Sequence, residues 1–474
     1  MDELQRPAEL SEEAWQATPP EVRQLLVVLI AKLAALEARI NQTSQNSSKP
    51  PSSDPPSAPP AAGKTPRGKP KSKGAQPGHD DQQRDLLSVT EVTTVVPLRP
   101  TCCPTCQHDL AADLPTVGPP RRQQVWEIPP VAPAITEYQY HSVCCPGCAA
   151  WVTAPRPDDV PPGAFGPRVV ALIALLHGRY RISNRELVAL LQMVWLLPIS
   201  VGSVVQLQQV ASAAVAPAHA EVQAAISAAA HVNVDETSWR EGTRKPWLWV
   251  AVSAVAILFL LQYGRGKKQL QTLVGDAFTG RVTSDRLSAY NSLDPTRRQL
   301  CWAHLVRNLR GRAETRGPWQ AEATALLALA EKVLVIWAQF RAGQIPRSTM
   351  QGMIQAIQAA MWERVEPGQH LKNTLGSLCA DLVPRWAALW TFVDVDGIEP
   401  TNNTAERAVR PAVLWRKGCY GTQSDAGSRF VERMLTVAAT CQQQERPLFP
   451  YLIDAVTAYW ANQPAPKLLP VRGA

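Results

Sequence analysis

The sequence predicts a multidomain chain organised around a mixed α/β core, and three observations carry that prediction. Residues 41–85 contain no Val, Ile, Leu, Met, Phe, Trp or Tyr, so they cannot bury a core and must divide the chain. Residues 231–303 leave helical spacing for β-branched and aromatic runs, several of which lead into a carboxylate or a histidine. The stretches on either side are rich in Ala and Leu at helical spacing. A length of 474 residues is enough for about three domains at roughly 150 residues each. The 48 Lys+Arg against 40 Asp+Glu give a net charge of +8, which tells against an acidic solvating protein.

Residues 1–40 are expected to form an amphipathic, leucine-zipper-like helix, because Val22, Leu26, Leu29, Leu33, Leu36 and Ile40 recur at alternating spacings of four and three. A seam this short needs other contacts beside it, either in a dimer or against its own chain. The acidic, polar start has neither the positive charge nor the apolar run of a secretory signal, so a cytoplasmic protein is expected. Residues 41–85 read as a disordered Pro/Ser/Gly linker. Lys64, Arg67, Lys69, Lys71 and Lys73 make it basic, and such a chain gains affinity for DNA by releasing counterions. Its Pro66-Arg67-Gly68-Lys69-Pro70 core resembles a minor-groove hook, with Arg67 and Lys69 as the DNA contacts.

Residues 86–160 are expected to be a zinc-binding, zinc-ribbon-like module. Cys103-Pro-Thr-Cys106 and Cys145-Pro-Gly-Cys148 can together close a tetrahedral four-thiolate site for one structural Zn2+, although Cys102 and Cys144 could replace their neighbours as ligands. Alternating runs at 124–128 and 135–143, around Pro129-Pro130, predict a hairpin that fills the gap between the pairs. Residues 161–230 read as a helical, helix-turn-helix-like DNA-binding domain. Asn184 is expected to cap one helix, and a second starts at Ser200 and offers Ser203, Gln206, Gln208 and Gln209 without any Arg or Lys.

Strands are then expected at 231–234, 247–253, 256–263, 280–285 and 299–303, with a helix at 267–274. The uncharged run 246–263 fits two buried strands better than a membrane span, because it is β-branched and breaks at Ser253-Ala254. A basic helix with His304, Arg307, Arg310 and Arg312 follows, then an all-α insertion at 316–395. The order strand, strand, strand, helix, strand is the outline of a ribonuclease-H-like α/β core, split into 231–315 and 396–445. Residues 446–474 are a C-terminal tail with no assigned role.

Acids at strand ends suit phosphoryl transfer, which needs charge neutralisation and an oriented attacking oxygen. Two divalent ions about 3.5–4 Å apart supply both, and magnesium takes hard oxygen ligands. Asp235, Asp285 and Glu406 are the candidate catalytic and metal-holding acids for two Mg2+ (or Mn2+) ions, with Glu236, Asp276, Asp394, Asp396 and Glu399 as rivals on the same grounds.

The segments VDETSW from Val234, CWAHLVRNL from Cys301 and NNTAERAVRPAVLWRKG from Asn402 resemble transposases of the insertion sequence 66 family, which belong to the DDE class. The resemblance extends to the zipper-like start, the basic linker, the CPxC pairs and Ser424-Asp-Ala-Gly427. It implies Asp235, Asp285 and Glu406 as the first, second and third catalytic acids. Arg286-Leu287 stands where the family commonly has a Gly and an aromatic residue, which leaves Asp276 as the fallback for the second acid. His304, Arg307, Arg410, Arg416 and Lys417 are expected to contact DNA, while Asn402 and Asn403 cap the helix that presents Glu406. The implied function is a DNA transposase that binds the terminal repeats of its element, cleaves a strand and transfers it to target DNA. A homodimer or higher oligomer near the nucleoid, with no membrane, completes the expectation. The alternatives are a nuclease of the same core without strand transfer, and an inactive zinc-bearing DNA-binding regulator.

Overall fold

Pro20 and the Leu, Val and Ala positions after it build the first long helix of the computed structural model, which describes residues 12–40, 85–158 and 160–470. A short helix α1 (Glu12–Ala17) leads into α2 (Pro20–Ile40). Trp15 is buried, and the Arg23 guanidinium lies over its ring and donates to Thr18 O at 2.8 Å. Val22, Leu29 and Leu33 of the zipper-like seam stand exposed, as do Leu25, Val28 and Ile30. The basic linker with Arg67 and Lys69 lies outside the described residues.

The chain forms two units, one of Pro60–Ala132 and one of Met1–Pro59 with Pro133–Ala474. In the smaller, Leu87 is held by Gln124, which accepts from its N–H at 3.0 Å and donates to its carbonyl at 2.9 Å. In the larger, β1 (Ser142–Cys144) pairs antiparallel with β2 (Trp151–Thr153) around the second CxxC pair. Of the two runs expected as a hairpin, 124–128 is not strand, and strand structure in 135–143 is confined to Ser142 and Val143, which belong to β1. Pro129, Pro130 and Pro133 lack the N–H that a ladder needs, and Val125, Ile128 and Ile135 are exposed.

Helices α3 (Pro167–Gly178), α4 (Asn184–Trp195), α5 (Val201–Ala214) and α6 (Ala216–Ser227) lead into the main sheet. Ser183, not Asn184, caps α4, through a capping box in which Ser183 and Glu186 satisfy each other's backbone N–H. The Asn184 side chain instead accepts from Gln208 at 2.7 Å, which draws Gln208 into the interior and away from any docking face. Ser200 caps α5 as expected, accepting from Ser203 N at 3.0 Å.

The main sheet has five strands in the order β5-β4-β3-β6-β7. Here β3 (His231–Ser238), β4 (Trp247–Val252) and β5 (Ile257–Gln262) form an antiparallel meander. After α7 (Lys267–Val274), β6 (Arg281–Ser284) and β7 (Arg298–Leu300) run parallel to β3. The fifth strand is shorter than the expected 299–303, because Cys301 already caps α8 (Trp302–Ala313).

Helices α8, α9 (Gln320–Arg341), α10 (Arg347–Gly368), α11 (Thr374–Leu382) and α12 (Thr391–Asp394) bury a separate core. Trp302 anchors it, packing edge-on against Trp390 at 4.9 Å and donating its indole N–H to Leu389 O at 2.7 Å. Among the described residues, α9 is the one helix long and apolar enough to cross a membrane, yet Ala323, Leu326, Ala330, Val333 and Ile336 are buried in this core.

Helices α13 (Asn403–Cys419), α14 (Asp425–Gln443) and α15 (Leu448–Trp460) return to the sheet side. One face of α14 covers the edge of β5: Thr440 Oγ1, Thr436 Oγ1 and Glu432 Oε2 accept the N–H groups of Ile257, Phe259 and Leu261 at 3.2, 2.9 and 3.0 Å. A sheet edge that would otherwise present open donors is thereby satisfied. The stretch read as a tail contains α15, whose Tyr451, Leu452, Ala455 and Val456 are buried in the main core.

Candidate active site

Strand β3 alternates its faces. Val232, Val234 and Glu236 share one, and His231, Asn233 and Asp235 the other. Its parallel partner β6 is in register Asn233↔Thr283, so Asp285, just past the end of β6, comes level with Asp235, which lies mid-strand because β3 runs on to Ser238, beyond the expected end at 234. Glu236 is excluded as a free acid. Its carboxylate accepts two bonds from Arg265, at 3.0 and 2.6 Å, and one from the Tyr290 hydroxyl at 2.5 Å.

The turn after β6 is fixed from beneath by Arg298, a guanidinium only 1% exposed that donates to Asp285 O at 2.7 Å and Ser284 Oγ at 3.2 Å. Burial lowers its pKa to about 10. Asp285 Oδ1 accepts from Leu287 N at 2.9 Å, which turns its carboxylate back over the loop. The next residue, Arg286, reaches Asp381 of α11 at 2.6 Å.

Glu406 enters from α13, and Asn402 sets that helix on the sheet. The Asn402 side chain donates to Val234 O at 2.8 Å and accepts from Asn233 Nδ2 at 3.2 Å, and its backbone N–H reaches Cys301 Sγ at 3.2 Å. Asn402 occupies the cap position but makes no side-chain cap bond, so the expected capping role gives way to a tether between helix and strand. Glu406 lies one turn further on and faces α8, with Oε1 3.5 Å from His304 Nδ1. Both atoms are buried and neither has a hydrogen-bond partner. Cys301, His304 and Glu406 bring their ligand atoms within 4.8 Å of one another.

Electrostatics join the three acids. Asp235 is pushed well above the ordinary carboxylate range, first by burial and then by Glu236, with Glu406 and Asp285 adding to the shift. Burial lowers the His304 pKa although Glu406 opposes it, and burial raises the Cys301 thiol to about 11. Carboxylates that repel one another in a poorly solvated site, beside an unpartnered oxygen, fit a divalent cation.

The rival acids stand elsewhere. Asp276 is exposed just after α7, before the start of β6 and so at its far end from Asp285. Asp394 is exposed, Asp396 pairs with Arg347 and Glu399 with Arg341. Among the expected DNA contacts, Arg307 lies close enough to influence the charge on His304, and Arg410 and Lys417 are exposed on α13. Arg416 instead folds back onto Ser238, donating to its carbonyl at 2.5 Å and to its hydroxyl, and so ties α13 to the end of β3. Sequence reasoning missed Asn233 and Arg298. The first could have been found from its period-two relation to Asp235, whereas nothing in Arg297-Arg298 says which guanidinium turns inward.

The two CxxC pairs fold alike. Cys103 N donates to His108 O and Gln107 N to Cys103 O, both at 2.9 Å; Cys145 N donates to Ala150 O and Ala149 N to Cys145 O, both at 2.8 Å. Each turn closes on a left-handed residue, Gln107 at φ 59° and Ala149 at φ 62°. Backbone N–H groups of Cys106 and Thr105 hold the Cys103 thiol below its ordinary pKa, and those of Cys148 and Gly147 do the same for Cys145. Cys102 and Cys144 turn their sulfurs to the carbonyls of Cys103 and Ala149, at 3.6 and 3.5 Å. Cys103 and Cys106 belong to the smaller unit, Cys145 and Cys148 to the larger.

A family model described as Transposase IS66 family matches residues 162–429, and a family of unknown function matches residues 6–85. An uncharacterized protein, y4qI, of Sinorhizobium fredii (strain NBRC 101917 / NGR234) is 25% identical over 256 residues, which cover 48% of this chain. The chain spans 46% of that relative's length.

Proposed function

The chain belongs to the IS66 transposase family, and on that premise we propose that it is a DDE-class DNA transposase that binds the terminal repeats of its own element, cleaves a strand there and transfers it to target DNA. The observation that supports the reading is the parallel register that sets Asp285 level with Asp235, together with the Asn402 bond that ties the Glu406 helix to the same strand; both acids also contribute to the raised pKa of Asp235. The strand order, an antiparallel meander followed by two parallel strands, supports a ribonuclease-H-like core.

Asp235, Asp285 and Glu406 would hold two divalent ions, magnesium or manganese. When bound, such ions lower the pKa of the attacking water or hydroxyl and neutralise charge on the phosphoryl oxygens. The protein's own part is to fix these acids. Arg298 and Leu287 N set Asp285, and Asn402 locks Glu406 to β3. Arg307, Arg410 and Lys417 neutralise DNA phosphates, which positions the strand without reading sequence. The linker cations Arg67 and Lys69 add a salt-dependent grip. Cys103, Cys106, Cys145 and Cys148 act together as a four-thiolate site for one structural zinc, and the matched knuckle geometry of the two pairs supports that role. The exposed row of α2 supports a dimer that holds two element ends.

Labelled end DNA, a plasmid target and magnesium provide the test. Joined products are expected from the wild type. Asp285→Asn should bind the ends and give neither cleavage nor joining. Cleavage without joining would reduce the activity to that of a nuclease, and magnesium-independent binding alone would make the protein a regulator.

A further inference from the structure

His304, expected to contact DNA, turns its buried Nδ1 towards Glu406. It stands one helical turn into α8 after Cys301, while Glu406 stands one turn into α13 after Asn402. The Cys301 Sγ accepts the amide N–H of Asn402, so this contact crosses the two helix starts and sets their first turns against each other. That arrangement places the His304 Nδ1 and Glu406 Oε1 atoms 3.5 Å apart.

The separation is too long for a direct hydrogen bond, whose N···O distance is about 2.7–3.2 Å. Each atom is nevertheless out of contact with water and has no partner. Two such atoms left facing each other carry an uncompensated desolvation cost, and buried polar groups in folded proteins are nearly always satisfied by something. Nitrogen and oxygen ligands at about 2.0–2.2 Å from one ion stand roughly 3–3.5 Å from each other, which is the spacing found here.

We propose that His304 is a nitrogen ligand of the divalent ion that Glu406 holds, so that the metal set is Asp235, Asp285, Glu406 and His304. The inference rests on the reading of the three acids as metal ligands. Cys301 is not part of the set, because magnesium and manganese prefer oxygen and nitrogen ligands to sulfur, and its contact with Asn402 positions α13 against α8. An imidazole donor favours manganese over magnesium, since magnesium prefers oxygen ligands and keeps its waters.

The test is pulsed electron paramagnetic resonance of the full chain loaded with manganese(II) alone, without DNA. Manganese avoids the thiolate knuckles, so its signal reports the carboxylate site. Protein made with isotope-labelled histidine should show a changed nitrogen coupling relative to unlabelled protein, and this needs no variant that must fold. His304→Gln should lose that coupling and bind manganese at least about tenfold more weakly, with a smaller change for magnesium. Manganese bound in an Asp235-dependent way with no histidine coupling, or a coupling that persists in His304→Gln, would overturn the His304 assignment and leave the acids in place. Manganese binding that ignores Asp235→Asn would overturn the metal reading itself.

Discussion

Asp381, on a helix of the all-α insertion, lies 2.6 Å from Arg286, the residue that follows the second candidate acid. Arg385 approaches the same carboxylate at 2.6 Å and donates its Nε–H to Asn291 Oδ1 at 2.9 Å, so Asp381 and Arg385 together clasp the insertion to the loop after β6. Asp381→Asn would leave two arginines partly buried without a counter-charge. Stability should fall by about 1–2 kcal/mol, measured by denaturant unfolding. Strand cleavage should fall more than end binding, because the loop that carries Asp285 loses its brace.

The tether at Asn402 gives a second expectation. Asn402→Ala removes the donor to Val234 O and the acceptor of Asn233, both inside the protein. The cost should be about 2–3 kcal/mol for the groups left unsatisfied. End binding should persist while cleavage drops, since Glu406 loses its register. Equal losses in binding and cleavage would mean that the residue only stabilises the fold.

Edge protection by α14 is separable from chemistry. Thr436→Val keeps shape but takes away the acceptor of the buried Phe259 N–H, and should cost about 1–3 kcal/mol. Hydrogen exchange at Phe259 should accelerate, with protection on the central strand β3 changed only through global stability.

Glu432 makes the same edge pH-sensitive. Burial raises its pKa from 4.5 to about 7, against the opposing bonds from Leu261 N–H and Arg429. An acid whose folded pKa is raised takes up a proton on folding between those values. Its contribution is therefore full below 4.5 and is lost as pH rises through about 7. Glu432→Gln should flatten this part of the stability profile, as read by thermal melts across that range. An unchanged slope would place the titration elsewhere.

The knuckles predict a sharp division among neighbouring cysteines. Cys103→Ser or Cys145→Ser should release the zinc, about one per chain by elemental analysis. Cys102→Ser and Cys144→Ser should retain it, because their sulfurs face carbonyl oxygens. Zinc-free folded wild type would overturn the four-cysteine assignment.

Much of this was legible in the residues. Asp235, Asp285 and Glu406 were expected from strand-like runs and motif context, and the shift of Asp235 carries contributions from both of the others. Local rules failed where a side chain had a non-local partner. Asn184 and Asn402 were read as caps because Asn is a good cap, but one binds Gln208 and the other Val234. The runs beside Pro129-Pro130 alternate as strands do, yet alternation stabilises a strand only if one face is buried, and here Val125, Ile128 and Ile135 remain exposed. The basic motif after Glu406 likewise hid the bond from Arg416 Nη1 to Ser238 O.

By itself the sequence determined the order of strands and helices, the acids at their ends, the paired CxxC turns and the basic linker, because those features follow from periodicity and residue type over short windows. Only the tertiary structure decided which acid of Asp235-Glu236 is taken up by Arg265 and Tyr290, which arginine is buried, and that His304 stands beside Glu406. Those outcomes depend on contacts between residues distant in sequence, such as Glu236 with Arg265 and Tyr290 or Asn402 with Val234, and a buried polar group takes whichever partner the packing brings within reach.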